Sequence, residues 1–430
     1  MMKPERVAWT CALIACAALL AAPWRGHVDD FDAQIYTVIA RNMARDASWF
    51  DLRCLPSLRP VYREHMPFGF WPAAAAIRAH ADWAIVPLYG LMTLGAIAVS
   101  GMIARRLAGE WAGVAAILLL GTCESIWQYG ARFLLDPPLF LFATAAAGAA
   151  LAGRWGWAAA LGGLATLIKG PFGLLPLACV AATRVRDWRA PAAVAAAVLP
   201  LAVFLTVDPA GGWRSGYLHA QLLASAAGSR GDGVATWWFP LAVVARRFWP
   251  GFPFLLLAVW AARRNAALRP LLFTCGLVLA ALCLPQRKWG NHTYVAFPLL
   301  AALAGAAAAP LLERISLRVR VAGTAAVAAI GSALSIAGAG ALVLQRPCAF
   351  STSLRPALER IPARSTVLVV GLRLDDLTTL AAERDLVPEP VGELPGTTPV
   401  HDAVVRGAGV APPSWKVESS AGALVVLRNP

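Results

Sequence analysis

Charge is scarce in this chain. Only 14% of its 430 residues are Asp, Glu, Lys or Arg, against about 25% in an ordinary soluble protein. Acid is scarcer than base: 24 carboxylate residues face 38 Lys and Arg, for a net charge of +14. That balance would suit a nucleic-acid partner, but the basic residues form no single stripe. Cys11 and Cys16 come near metal-ligand spacing, yet no second Cys or His pair completes a zinc site. No internal repeat is evident, so the inverted-repeat build of many secondary transporters has no support.

What the chain has instead is apolar length. Hydrophobic residues make up 59% of it, and runs near twenty residues recur, long enough to cross roughly 30 Å of hydrocarbon. Lys3 and Arg6 precede the first, residues 9–24. A cleaved signal peptide and an uncleaved first span both fit it, and the many spans that follow favour the second. Further spans are expected over 83–103, 111–128, 137–152, 155–168, 170–183, 190–207, 240–260, 270–285, 293–310 and 321–344. With the first they make about eleven, the pair 155–168 and 170–183 being short enough to need a thinned bilayer or burial among other helices. The fold class expected is therefore an all-α polytopic membrane protein.

Arginines cluster in the turns between runs: Arg105 and Arg106; Arg184, Arg186 and Arg189; Arg263, Arg264 and Arg269; Arg314, Arg318 and Arg320. Such clusters mark cytoplasmic ends. Alternate crossing from a cytoplasmic start puts all of them inside. It puts Asp29, Asp30, Asp32, His65, Arg132, Asp136, Lys169, Asp208, Arg287, Lys288 and His292 outside.

Residues 25–80 form a long first extracytoplasmic loop in this scheme. Ile35, Tyr36, Ile39, Ala40 and Met43 share one helical face and Gln34, Thr37, Arg41 and Arg45 the other, the pattern of a helix lying on the membrane surface. A second amphipathic or re-entrant piece covers 68–80. Beyond 345 the composition turns Pro-rich and mixed. A β-like run at 367–370, a helical run at 375–384 and a closing strand at 423–427 describe a small soluble α/β domain over 346–430, following a membrane domain over 1–345. Cys54 and Cys348 fall in segments placed outside, where a disulfide is permitted.

The outer ends hold more charge than the spans require, and charge at such places is costly. Asp29, Asp30 and Asp32 exceed what a helix cap needs. A carboxylate there suits a general base or a divalent cation, Mg2+ or Mn2+. His65 alone is a weak candidate. Asp136 precedes Pro137 and suits a helix cap as well as a partner for Arg132. Lys169 stands before Gly170 and Pro171 in an otherwise apolar stretch and requires a polar cavity, an anion or the interface. Arg287 and Lys288, near Trp289, His292 and Tyr294, suit a phosphate whose charge develops in a reaction, with interfacial anchoring as the plainer use.

The order of these motifs resembles the GT-C membrane glycosyltransferases of the protein O-mannosyltransferase and aminoarabinose transferase (ArnT-like) type, over roughly residues 9–310. The matching positions are Asp32 with Tyr36; His65, Pro67 and Trp71; Arg132 and Asp136; Lys169, Gly170 and Pro171; and Arg287, Lys288, Tyr294 and Pro298. Where the family places Glu after its first Asp, this chain has Ala33, with Asp29 and Asp30 close by. Its basic or doubled-proline signature is Glu64-His65-Met66-Pro67 here.

The resemblance implies a GT-C-like fold in a bacterial inner membrane and an inverting transfer on its extracytoplasmic face. The donor would be a sugar on a polyprenyl phosphate, the acceptor a lipid, protein or glycan, with no nucleic acid involved. Asp32, supported by Asp29 and Asp30, would act on the acceptor hydroxyl. Lys169, Arg132, Arg287, Lys288 and His65 would hold the donor phosphate, with Asp136, Tyr36, His292 and Tyr294 in structural or substrate-binding places. No cofactor is required by this scheme. The competing expectation is a transporter or flippase for a lipid-linked saccharide.

Overall fold

The computed structural model describes residues 4–21, 31–55, 61–130, 132–229, 233–336, 355–370, 372, 380–381, 386–391, 400, 402–406, 414–421 and 424–428. Helices come first: α1 (Pro4–Ala21), α2 (Phe31–Asp46), α3 (Trp71–Arg78), α4 (Ile85–Ala108), α5 (Glu110–Gly121) and α6 (Glu124–Gly130). Next are α7 (Asp136–Leu151), α8 (Trp155–Lys169), α9 (Pro171–Ala182) and α10 (Arg189–Val207). A π-helical segment, Arg214–Leu223, runs into α11 (Ala224–Ala227). Then follow α12 (Phe239–Arg247), α13 (Phe252–Arg264), α14 (Arg269–Cys283), α15 (Gly290–Thr293), α16 (Phe297–Glu313) and α17 (Leu317–Ile336). The C-terminal part holds α18 (Arg355–Leu358) and strands β1 (Thr366–Val370), β2 (Val387–Pro390), β3 (Asp402–Arg406), β4 (Lys416–Ala421) and β5 (Leu424–Arg428).

Every expected apolar run carries helix. Among the described residues, five helices are long and apolar enough to cross a membrane: Pro4–Ala21, Asp82–Ala108, Arg189–Val207, Ala266–Cys283 and Gly290–Glu313. The pair α12 and α13 makes a sixth if counted as one span. The chain is thus a multi-pass membrane protein. The structure supports five or six spans by length and composition, where the sequence count of about eleven admitted shorter runs such as α5, α7 and α9. The run expected as one span over 240–260 bends by 110° between α12 and α13. Pro250 and Pro253 explain the break, because each lacks an amide donor and its ring crowds the preceding turn.

The chain divides into two compact units. The first comprises Met1–Arg25, Arg63–Gly69 and Trp83–Val343; the second comprises Gly26–Tyr62, Phe70–Asp82 and Leu344–Pro430. In the first, α16 is the central helix, buried continuously from Phe297 to Ala309 and packed on α5, α4 and α13. Its small residues allow that. A side chain at Gly305 would come within 2.6 Å of the Ala112 carbonyl oxygen and the Ala116 nitrogen, so backbones pack directly, as small residues permit between membrane helices. Helix α8 packs against α7, α10 and α9, which brings its C-terminal end into the functional region.

In the second unit α2 is a helix as expected, with Ile35, Tyr36, Ile39, Ala40 and Met43 all buried, but Gln34, expected on the polar face, is buried as well. Tyr36 meets Phe70 edge-on at 5.1 Å and Tyr62 at 6.5 Å. Arg41 donates to the Ala381 carbonyl at 3.3 Å, tying the first loop to the C-terminal segment. The sheet has the order β2-β1-β3-β5-β4, parallel among the first three strands and antiparallel in β3-β5-β4. Two expected strands are present as β1 and β5. The expected helix over 375–384 lies largely outside the described residues, as does Cys348 and with it any pairing with Cys54.

Candidate functional site

Lysine at the end of an apolar helix needs a partner or water, and Lys169 has a partner. It closes α8, and its Nζ donates to Asp136 Oδ1 at 2.9 Å. The two side chains are only 5% and 8% exposed, so the pair is buried and each charge depends on the other. Asp136 does not cap α7. It is the first residue of that helix, followed by Pro137 and Pro138 in the first turn, where missing amide donors cost nothing. Its carboxylate is thereby left for Lys169.

Gly170 then turns the chain. Its φ of +57° lies in the region that favours glycine, and a side chain there would collide with the Tyr217 hydroxyl. Pro171 opens α9 at once, and Phe172 follows in its first turn. The Phe172 ring lies 4.3 Å from that of His292, tilted by 43°, and His292 also meets Trp289 at 5.2 Å.

The segment after α14 is fixed by backbone pairing. Val234 and Lys288 exchange amide-to-carbonyl bonds of 2.8 and 3.0 Å, and Gln286 donates to the Ala226 carbonyl at 3.3 Å. Arg287 donates to the Gly233 carbonyl at 3.4 Å. Lys288 is 5% exposed.

These pieces line one cavity of about 100 Å3 in the first unit. Lys169, Arg287, Lys288, His65 and His292 all face it, with Glu64 the carboxylate among its lining residues. Five sequence-predicted residues therefore converge here, and Asp136 stands directly behind them through Lys169. The three Lys and Arg ammonium and guanidinium groups outnumber the one lining carboxylate, so the cavity suits an anion. Arg132 and Tyr294 form a neighbouring group: both approach Tyr129, the guanidinium at 6.0 Å and the Tyr294 ring at 5.5 Å.

Asp32 lies in the first turn of α2 and Tyr36 one turn on, in the second unit. Asp29 and Asp30 lie outside the described residues. Among the described residues, no group of three or more His, Cys, Asp or Glu is placed to hold a metal ion.

Sequence reasoning missed the π-helical segment, which contributes Tyr217 and Gln221 to the cavity wall. Its sequence, Arg214-Ser-Gly-Tyr-Leu-His-Ala-Gln-Leu, has helical spacing at Tyr217, Leu218 and Leu222 but is short and only weakly apolar. Only the π-helix, often found at functional sites, would have been a signal. Asp208 organises its start, in a left-handed conformation at φ +46°, by accepting from the Trp213 amide at 3.0 Å. Burial pushes the Tyr217 hydroxyl well above the usual tyrosine range, so it remains a neutral donor.

No sequence-family model matches this chain, and no curated protein sequence does. Solved structures do. ArnT from Cupriavidus metallidurans in the apo state matches with TM-score 0.73 and 20% identity, covering 98% of each chain. The same protein bound to undecaprenyl phosphate gives TM-score 0.72 and 18% identity, covering 98% of this chain and 97% of that one. The archaeal oligosaccharyltransferase AglB from Archaeoglobus fulgidus, in complex with an inhibitory peptide and a dolichol-phosphate, gives TM-score 0.52 and 13% identity over 93% of this chain and 69% of that one. Likeness over almost the whole chain shows an ArnT-like fold.

Proposed function

We infer that this chain is a glycosyltransferase that moves a hexosyl or pentosyl group from a polyprenyl-phosphate donor to an extracytoplasmic lipid, protein or glycan. The observation that carries the reading is the convergence of Lys169, Arg287, Lys288, His65 and His292 on one cavity. The fold adds support, since the similar structures include ArnT bound to undecaprenyl phosphate and AglB in complex with a dolichol-phosphate. The arginine clusters at the opposite helix ends support a cavity on the outer face, and the resemblance to ArnT-like transferases supports a bacterial inner membrane.

In this reaction the acceptor oxygen attacks the anomeric carbon from the face opposite the phosphate. The bond from that carbon to the phosphate oxygen breaks, and its electron pair stays on the polyprenyl phosphate. The acceptor proton passes to Asp32, the carboxylate assigned as base. Lys288, Arg287 and Lys169 stabilise the charge that grows on the leaving phosphate, and His65 and His292 complete the polar wall. Gln221 and Tyr217 supply neutral hydrogen-bonding groups to the same wall. A divalent cation at Asp29, Asp30 and Asp32 is a separate proposal, tested by turnover in EDTA with and without added Mn2+.

The deciding experiment is turnover by purified protein in nanodiscs, offered radiolabelled polyprenyl-phosphate sugars and membrane-extract acceptors. Release of polyprenyl phosphate that disappears in Asp32→Asn supports the transferase. Folded protein that binds the lipid but never cleaves it puts the transporter or flippase ahead.

A further inference from the structure

A second concavity lies at the other end of α8. Helices α4, α7 and α8 leave between them a groove of about 320 Å3, with Ile103 and Gly148 among the residues of its apolar floor. Arg106, in the last turn of α4, and Arg154, in the turn that leads into α8, both line it. Lys169 closes α8 at its far end, so a 15-residue helix separates this groove from the cavity described above, a distance of about 22 Å at the α-helical rise.

The two arginines differ from their neighbour. Arg105 is engaged by Glu110 at 2.5 Å. Among the described residues neither Arg106 nor Arg154 has an ion-pair or side-chain hydrogen-bond partner, and both are exposed. Trp157 joins them at the groove with 67% of its surface exposed, as tryptophans do at the level of lipid headgroups. An apolar floor topped by two uncommitted guanidinium groups and an indole matches a ligand with an acyl chain and a phosphate. Basic pockets between membrane helices bind anionic headgroups on this principle, and guanidinium forks hold phosphate bidentately.

We propose that the α4–α7–α8 groove is a binding site for an anionic phospholipid of the cytoplasmic leaflet, its phosphate held by Arg106 and Arg154 and an acyl chain lying along Ile103 and Gly148. The site is separate from the transfer site and does not depend on the function assigned to it. Trp157 covers the glycerol region. A zwitterionic lipid offers the same chain but carries its own cation, which the two arginines repel.

Native mass spectrometry of the purified full chain tests this, with dioleoyl-phosphatidylglycerol and dioleoyl-phosphatidylcholine titrated separately. The expected result is a single phosphatidylglycerol adduct that persists where phosphatidylcholine is stripped. Removing both charges in Arg106→Gln/Arg154→Gln should weaken that adduct about 25-fold, at roughly fivefold per arginine. Arg106→Lys/Arg154→Lys should retain most of the preference, and Arg184→Gln/Arg186→Gln, at another basic turn, should leave it unchanged. Thermal unfolding of each variant reports whether it is folded, and the single Arg154→Gln, in an exposed turn, serves if the double variant is not. Equal retention of the two lipids, or a phosphatidylglycerol adduct unaffected by Arg154→Gln and by the double variant, overturns the proposal.

Discussion

The Tyr217 hydroxyl occupies the space that any side chain at Gly170 would need. Gly170 also has a φ of +57° and ψ of −136°, which L residues rarely adopt. Gly170→Ala therefore meets two separate penalties, backbone strain of about 1–3 kcal/mol and the clash. It should lower the unfolding temperature and displace Lys169, reducing turnover. Adding Tyr217→Phe removes the clashing oxygen but leaves the strain, and the ring carbon that bore it still lies 2.9 Å from the new Cβ. The double variant should thus recover part of the loss. No recovery at all would show that backbone strain alone sets the effect.

Lys169 and Asp136 are predicted to be far more sensitive to single than to paired removal. Asp136→Asn leaves a buried ammonium without its counter-charge and should cost about 3–5 kcal/mol of stability. Asp136→Leu with Lys169→Met removes both charges and should unfold near the wild-type temperature while remaining inactive. Thermal unfolding of the three proteins in one detergent checks this. A double variant as unstable as Asp136→Asn would mean that the pair matters to the fold for reasons other than charge balance.

Tyr217 gives a pH signature at the alkaline end. Its folded pKa lies above the unfolded value of about 10, because burial disfavours the phenolate. The folded state therefore keeps a proton that the unfolded state releases. The stability this contributes is full below about pH 10 and is lost as pH rises from there towards the folded pKa. The unfolding temperature should fall more steeply above pH 10 in the wild type than in Tyr217→Phe. Parallel curves would show that the hydroxyl is not buried as described.

The sequence made the helices legible because apolar runs and arginine turns are one-dimensional signals. Lys169 and Lys288 could be singled out for the same reason: a cation in an apolar stretch requires explanation. Their convergence on one cavity could not be read, since it depends on how α8 and α14 pack against α9. The Lys169–Asp136 pair was hidden because Asp136 before proline reads equally well as a cap. The bend between α12 and α13 was legible in Pro250 and Pro253 and was overridden by the hydrophobicity around them. Tyr217 and Gln221 lie in a short, weakly apolar segment whose helical spacing does not by itself mark a site.

Lys288 and Arg287 are adjacent, but burial predicts unequal roles. The bridge to Val234 fixes the backbone of Lys288, and its side chain is 5% exposed, whereas Arg287 is partly exposed. Charge–charge attraction grows as water is excluded, so an anion in the cavity gains more from the buried ammonium than from the wetter guanidinium. Lys288→Met keeps most of the side-chain volume and removes the charge. It should reduce kcat/KM for the lipid-phosphate sugar by about 100- to 1,000-fold, the scale seen when a group stabilising developing charge is lost. Arg287→Met should cost less than about tenfold, in line with an exposed charge. Steady-state kinetics in nanodiscs separate two ways in which Lys288 can act. If it stabilises the leaving phosphate, kcat falls and KM stays nearly constant; if it anchors the donor, KM rises instead. Equal losses in the two variants would mean that burial does not rank these cations, and that the phosphate sits nearer the mouth of the cavity than its wall.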